Sequence, residues 1–214
     1  MIISRGRSYI FVHIPKTGGT SMALALEARA MKDDIMLGDT PKARNRRRRV
    51  RATPESGRLW KHSTLTDING LATPQEMSQM FCFTMVRNPW DRVVSYYHWL
   101  RAQHFDHPAA RLARDGTFEA FLGAREVQSS LHATPAPHYM TDASGSVQCD
   151  SYIRLEHFSS DAEPLWAHLG FELELPWVNA SKRDRDYRGY YSKRMRETVR
   201  QCCAADISRF GYDF

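Results

Sequence analysis

The chain has 214 residues, 42% of them hydrophobic and 25% charged, which is the composition of a folded protein with one sizeable core. No uninterrupted apolar run approaches the ~18 residues needed to span a bilayer, and the residues after Met1 lack the apolar core of a signal peptide. The net charge is +6 and the four cysteines lack the paired spacing of a zinc site, so we expect a reduced, cytoplasmic protein.

The first predicted elements are a strand and a helix joined by a short turn. The apolar residues 8–14 predict a buried strand, and residues 19–31 predict a helix. Residues 38–56 are polar and basic and predict a loop, and residues 58–62 predict a short second strand.

The remaining elements continue this alternation of strands and helices. Residues 80–86 predict a strong strand, and Asn88 and Pro89 after it are a helix cap and a first-turn proline. Further helices are predicted at residues 73–77, 117–124, 162–169 and 192–210, a strand at 152–156, and a loop-rich stretch at 126–150. The alternation favours an α/β fold with a central parallel sheet flanked by helices, without internal repeats and within one domain.

The turn between the first strand and the first helix has the composition of a phosphate site. It contains, in order, Lys16, Thr17, Gly18, Gly19, Thr20 and Ser21. Glycines let the backbone approach an anion closely, and the unpaired amides of a helix N-terminus attract negative charge. An ordinary turn with a surface lysine is the alternative. The lysine precedes the glycines, which is not the order of a nucleoside-triphosphate loop.

A second cation follows the strand at residues 80–86, where a kinase or ATPase would hold magnesium with an aspartate. Arg87 stands at this position, and its guanidinium could bind a phosphate through two parallel hydrogen bonds. Ser95 lies two helical turns further on. An arginine at a strand end is by itself more often a structural ion-pair residue, but together with the first turn it indicates a ligand with two separate phosphates.

These motifs resemble a known family. HIPKTGGTS, VRNPWDRVVSYYHW and, less specifically, YIRLEHF, LPWVNAS and DISRFGYDF are similar to segments of the carbohydrate sulfotransferases of the heparan sulfate 2-O-sulfotransferase type and their bacterial relatives. The resemblance covers most of the chain. It implies a single sulfotransferase domain over residues 1–214 with a P-loop-like, three-layer fold.

The resemblance also implies a substrate and roles for individual residues. The donor would be 3′-phosphoadenosine 5′-phosphosulfate (PAPS), and no metal would be needed. Residues 16–21 would hold the 5′-phosphosulfate, with Lys16 stabilising the departing oxygen, and Arg87 and Ser95 would hold the 3′-phosphate. Asn179 and Ser181 match a segment close to the nucleotide, and a polar surface turn is the alternative for that pair. The acceptor would be a carbohydrate or another small hydroxyl compound.

A histidine is the expected base for the acceptor hydroxyl, since its pKa lies near neutrality. His62 is the candidate because a histidine after the second strand has this role in the resembled family. His138 is the rival, although the family commonly carries Pro-Gln where this chain has Pro135 and Ala136. His13 is expected in the core or in support of the site, and His98 is expected to pack on its helix.

The excess positive charge is confined to one segment. Residues 42–51 include seven basic side chains and no acid, so the rest of the chain is nearly neutral. We interpret residues 40–54 as a basic loop insert that the resembled family does not explain. It is predicted to be a solvated loop, and its use would be contact of Arg44–Arg51 with an anionic polymer, nucleic acid or anionic lipid.

Two other functions compete with sulfuryl transfer. A phosphate-binding NTPase or nucleotide kinase would hydrolyse ATP with magnesium, but the order of lysine and glycines argues against it. A non-catalytic nucleic-acid module would act through Arg44–Arg51 and bind in a salt-dependent way. The nearly neutral remainder of the chain makes this the weakest hypothesis, and no stable nucleic-acid complex is expected.

Overall fold

The computed structural model describes residues 1–47, 50, 52–176, 178 and 183–214. Five strands lie in these ranges: β1 (Ile2–Ser4), β2 (Tyr9–Val12), β3 (Ile35–Met36), β4 (Phe81–Val86) and β5 (Ser151–Arg154). The α-helices there are α1 (Gly19–Ala28), α2 (Pro41–Arg46), α3 (Pro74–Met77), α4 (Pro89–Arg101), α5 (Pro108–Asp115), α6 (Phe118–Gly123), α7 (Arg125–Ala133), α8 (Ala136–Tyr139), α9 (Phe158–Asp161), α10 (Glu163–Leu169), α11 (Lys193–Cys202) and α12 (Ala204–Phe210).

The strands form one sheet in the order β3-β1-β2-β4-β5. β2, β4 and β5 are parallel, with Phe11 opposite Phe83 and Met85 opposite Ile153. β1 is antiparallel to both β2 and β3, so β3 points in the same direction as the three parallel strands. The predicted α/β class is therefore confirmed, with a central, mostly parallel sheet flanked by helices.

Both faces of the central strands are buried, which explains their continuous apolar sequences. Alternate residues of β2, β4 and β5 form one cluster with α1 and α10, namely Tyr9, Phe11, Phe83, Met85, Ile153, Met22, Leu26 and Leu165. The opposite face includes Ile10, Cys82 and Thr84, which are at most 1% exposed. The Thr84 hydroxyl donates to the Val12 carbonyl at 2.7 Å, so the buried polar group is satisfied.

The chain divides into two compact units. The first comprises residues 1–86 and 136–178, and the second comprises residues 87–135 and 179–214. The first unit contains the whole sheet, and the second is helical where the structure describes it. The expectation of a single sulfotransferase domain stays a prediction.

Two segments between α1 and α3 differ from expectation. Residues 38–56 were predicted to be a loop, yet α2 lies within them because Thr40 caps the Ala43 amide and Pro41 occupies the first helical turn. Residues 58–62 are not a strand. They form a turn held by Ser63, whose buried hydroxyl accepts from the Trp60 amide at 2.9 Å.

The other differences concern short or interrupted elements. Residues 126–150 contain α7 and α8 rather than only loop, and the predicted helix at 192–210 divides into α11 and α12 at Cys203. β1 and β3 were not predicted. The strands at 80–86 and 152–156 and the helices at 73–77, 117–124 and 162–169 are confirmed within one or two residues. Across the described part of the chain, every helix is too short or too polar to cross a bilayer.

Candidate active site

In the turn between β2 and α1 the backbone is strained, and the N-terminus of α1 has no capping side chain. Lys16 has a φ of 67° and Gly18 a φ of 88°, so both lie in the left-handed region. That conformation costs a non-glycine residue about 1–2 kcal/mol. Gly18 is the N-cap and provides no side-chain acceptor, so the first amides of α1 have no side-chain cap. Strain and uncapped amides together are features of a built anion site.

The hydroxyl side chains of this turn differ in whether they have a hydrogen-bond partner among the described residues. The buried Thr17 hydroxyl donates to the Ile14 carbonyl at 2.9 Å, which closes the turn internally. The Thr20 and Ser21 side chains are half-buried, and their hydroxyls have no hydrogen-bond partner among the described residues. Thr17 therefore shapes the turn, whereas Thr20 and Ser21 are placed to donate to a ligand.

Both glycines are required by close packing within the first unit. A Cβ atom at Gly19 would lie 2.1 Å from Cδ2 of the His13 ring. A Cβ atom at Gly18 would lie 2.9 Å from a methyl carbon of Leu155, in addition to the positive φ. The His13 ring thus packs against the first residue of α1, where only glycine fits.

We expect Gly19→Ala to disrupt this packing. The added methyl group must displace the buried His13 ring, which should lower the free energy of unfolding by about 1–3 kcal/mol and weaken phosphate binding at the turn. Urea denaturation and anion titration measure the two effects. Gly123→Ala is the matched control, because no atom lies within 4 Å of its added Cβ. Equal stability of the two variants would contradict the packing argument.

His13 also connects the turn to the candidate base. Its carbonyl oxygen lies 2.7 Å from Nδ1 of His62, and the two rings meet edge to face with centroids 4.6 Å apart. A carbonyl only accepts, so Nδ1 of His62 carries the proton and Nε2 of the neutral ring has the free lone pair. This tautomer is the one that a base acting through Nε2 requires.

Both histidines are neutral at pH 7. Burial lowers the pKa of His62 to about 4, although its hydrogen bond to His13 acts in the opposite direction. Burial, and then the nearby His62, lower the pKa of His13 well below 6.5. The Lys16 ammonium also lowers the pKa of His13, so the lysine lies within electrostatic range of that histidine. A lysine cation and a neutral imidazole are therefore combined in one part of the first unit.

In the second unit, Arg87 is held by an ion pair. Its guanidinium donates to Oδ2 of Asp91 at 2.9 Å and 2.5 Å, and Oδ1 of Asp91 accepts from Arg183 at 2.5 Å. One carboxylate thus holds two guanidinium groups, so the trio keeps a net positive charge. Ser95 follows one turn after Asp91 and is 7% exposed. Arg87 is ion-paired, as the structural alternative expected, and the trio of Arg87, Asp91 and Arg183 has one excess positive charge.

Arg183 was not identified from the sequence. Its side chain is only 9% exposed, and its Nη1 atom is buried without a hydrogen-bond partner among the described residues. A buried guanidinium nitrogen without a partner is uncommon and points to a ligand. The only sequence signal was the basic composition of residues 182–188, which did not distinguish this arginine from its neighbours.

The other predicted residues have different surroundings. Asn179 and Ser181 lie outside the residues that the structure describes. His138 is exposed on α8 and contacts the Tyr139 ring, whereas His98 packs edge to face on Tyr97 and Tyr190. Within the described ranges, no group of three or more His, Cys, Asp or Glu side chains is arranged to hold a metal ion.

Comparisons with known proteins agree with the motifs. A family model described as "Sulfotransferase family" matches residues 1–213. The structure is similar to that of the mouse sulfotransferase SULT7A1 complexed with PAP, with a TM-score of 0.51 and 18% sequence identity over 97% of this chain and 86% of that chain. No curated protein sequence matches the chain significantly.

Proposed function

Since the chain belongs to the sulfotransferase family, we propose that it transfers the sulfuryl group of PAPS to a hydroxyl group of a carbohydrate or another small acceptor. The observation that carries the proposal is the combination of a strained, uncapped turn with a neutral histidine, His62, that is hydrogen-bonded to the carbonyl of His13, three residues before Lys16. The four cysteines are unpaired, which supports the further proposal of a cytoplasmic protein.

The proposed donor contacts follow from the two anion sites. Amides at the start of α1, the Thr20 and Ser21 hydroxyls and the Lys16 ammonium would hold the 5′-phosphosulfate. Arg87 and Ser95 would hold the 3′-phosphate, and we add Arg183 because its Nη1 atom has no hydrogen-bond partner among the residues that the structure describes. Asn179 and Ser181 stay proposed nucleotide contacts.

The proposed reaction is an in-line displacement at sulfur. The acceptor oxygen attacks the sulfur atom while the bond from sulfur to the bridging oxygen of the 5′-phosphate breaks. The proton of the acceptor hydroxyl moves to Nε2 of His62, and the developing charge on the bridging oxygen is stabilised by Lys16. The products are the sulfate ester and 3′-phosphoadenosine 5′-phosphate (PAP). The His13 carbonyl stabilises the imidazolium that His62 becomes, because it accepts the Nδ1 proton.

The NTPase or nucleotide-kinase alternative is not favoured. Its loop needs the lysine inside the helix start, whereas Lys16 lies before both glycines and before α1. The family match gives the same preference.

Titration with PAP tests the proposal directly. We expect wild-type protein to bind PAP in the micromolar range, to bind adenosine 5′-phosphate at least tenfold more weakly, and to release PAP from PAPS when an acceptor is present. PAP and adenosine 5′-phosphate differ only in the 3′-phosphate, so the difference in affinity measures the contribution of that group. Failure to bind PAP at high micromolar concentration, or hydrolysis of ATP with magnesium in place of PAPS turnover, would overturn the proposal.

A further inference from the structure

Helix α4 has a row of polar side chains on one face. Asp91, Ser95 and His98 are spaced by four and then three residues, so they follow one another along the same side of the helix. Asp91 accepts from Arg183 at 2.5 Å. Ser95 is 7% exposed, and its hydroxyl has no hydrogen-bond partner among the described residues. The proposed nucleotide contacts use Ser95 and Arg183 but leave His98 without a role.

The His98 ring is held in place by packing, yet its polar atom is not satisfied. The ring meets those of Tyr97 and Tyr190 edge to face, with centroids 5.4 Å from each. Its Nε2 atom is buried and has no hydrogen-bond partner in the described part of the chain. A buried polar atom without a partner is destabilising, and an apolar side chain would fill the same space without that cost. The unpaired nitrogen therefore indicates a ligand.

A second unsatisfied atom lies in the same unit. Among the described residues of the second unit, only Nε2 of His98 and Nη1 of Arg183 are buried side-chain nitrogen or oxygen atoms without a partner. Burial lowers the pKa of His98 most and the Arg183 guanidinium lowers it next, so the two side chains lie within electrostatic range. They make no hydrogen bond with each other. One anionic group next to both would satisfy both atoms.

The charged groups that act on His98 are cations. Arg183 and, on the same helix, Arg101 disfavour an imidazolium, and no charged side chain of α5, α6 or α11, which also pack against α4, acts on it. The two tyrosines contact the histidine through their rings. Asp91 is the only acid of α4, and it lies seven residues away, about 10 Å along the axis, where it pairs with two guanidinium groups. A bound anion would thus be the first negative charge to face this ring.

We propose that His98 binds the 3′-phosphate of the nucleotide together with Ser95 and Arg183, and that it takes up a proton from solvent when this phosphate binds. The inference rests on the proposed function, because the nucleotide is the ligand of this site. The protonated Nε2 donates to one phosphate oxygen and Nη1 of Arg183 donates to another. Nucleotide affinity then depends on pH through a residue that does not contact the reacting sulfur.

The direction of the pH dependence follows from the charges. In the free protein, burial and two cations hold the pKa of His98 below its ordinary value of 6.5. A phosphate dianion adds two negative charges beside the ring and raises the pKa of His98 in the complex. Between these two pKa values the complex carries one more proton than the free protein. Affinity therefore rises as the pH falls, by up to about tenfold per pH unit.

Calorimetry with PAP at pH 8.0 and pH 6.5 tests the inference, in pairs of buffers with low and high ionisation enthalpy so that proton uptake is measured directly. Over this range the wild-type affinity should rise about tenfold relative to that of His98→Gln, and wild type should take up more protons. The glutamine amide donates to a phosphate but does not titrate. The phosphate has its own pKa near 6, which contributes equally to both proteins. His132→Gln is the matched control, because His132 is exposed on α7 of the same unit, and it should behave as wild type.

NMR titration of the His98 ring gives a second measurement that needs no variant. Its midpoint in the wild-type protein should move to higher pH with PAP and stay unchanged with adenosine 5′-phosphate, which lacks the 3′-phosphate. Equal pH dependence of PAP binding in wild type and His98→Gln, or a midpoint that PAP does not raise, would overturn the inference and leave His98 a packing residue. Failure of wild type to bind PAP would refute the proposed function as well, whereas normal PAP binding without proton uptake at His98 would refute only this inference.

Discussion

Lys16→Ala is expected to reduce sulfuryl transfer by on the order of 10²–10³-fold, which is the usual effect of removing one group that stabilises a developing oxyanion. The ammonium group is the cation of the proposed phosphate turn, and it lies within electrostatic range of His13. Single-turnover release of PAP from PAPS measures the loss. Lys32→Ala is the control, because Lys32 is an exposed lysine just after α1 and should retain wild-type turnover.

Lys16→Gly separates charge from backbone strain. Lys16 has a φ of 67°, which glycine adopts without a Cβ penalty. This variant should therefore be as inactive as Lys16→Ala but more stable than it, by about 1 kcal/mol. Thermal unfolding and PAPS turnover give the two readings. Substantial turnover in Lys16→Gly would show that the shape of the turn, rather than the ammonium group, provides the rate acceleration.

The central strands could be predicted because burial on both faces gives an uninterrupted apolar sequence. β2 and β4 are such runs, and each is followed by a glycine or proline signal that starts a helix. α3 and α4 could be predicted because each has a capping side chain followed by a proline in the first turn. These signals are local, so one sequence was sufficient to detect them.

The elements that were missed depend on distant partners. β3 has two residues and forms because it pairs with β1, which no local pattern encodes. The basic side chains of residues 42–51 concealed α2, whose stability comes from the buried Ala43 and from the bond between Lys42 and the Glu27 carbonyl. Tertiary contacts of this kind override a compositional argument for a loop.

The same distinction between local signals and distant contacts applies to the candidate site. Residues 16–21 are contiguous, so their chemistry could be interpreted directly as a phosphate turn. His62 was assigned on the basis of a preceding strand that is not present, and its connection to the turn is a hydrogen bond across 49 residues of chain to His13. The pairing of Arg183 with Asp91 spans 92 residues, so it could not be inferred without the structure.

His62→Gln is expected to reduce turnover by about 10²–10⁴-fold, which is the usual contribution of a general base, while PAP affinity stays within twofold of wild type. A glutamine amide can still donate to the His13 carbonyl, but it cannot accept a proton from the acceptor hydroxyl. Burial lowers the pKa of His62 to about 4, below the near-neutral value on which the choice of a histidine rested. The wild-type ring is therefore neutral at pH 7 and Nε2 can accept a proton, but it is a weaker base than a free imidazole. Calorimetry with PAP and single-turnover assays with PAPS separate binding from chemistry.

Chemical rescue distinguishes a base from a packing residue. His62→Gly opens a space for free imidazole next to Trp60 and His13, whose rings lie 5.0 Å and 4.6 Å from the native ring. Added imidazole should restore part of the turnover in His62→Gly and leave His62→Gln unchanged, since the glutamine fills the space. His138→Gln is the control for the rival histidine and should retain full activity, because His138 is exposed on α8. Normal turnover in His62→Gln together with its loss in His138→Gln would move the base to His138.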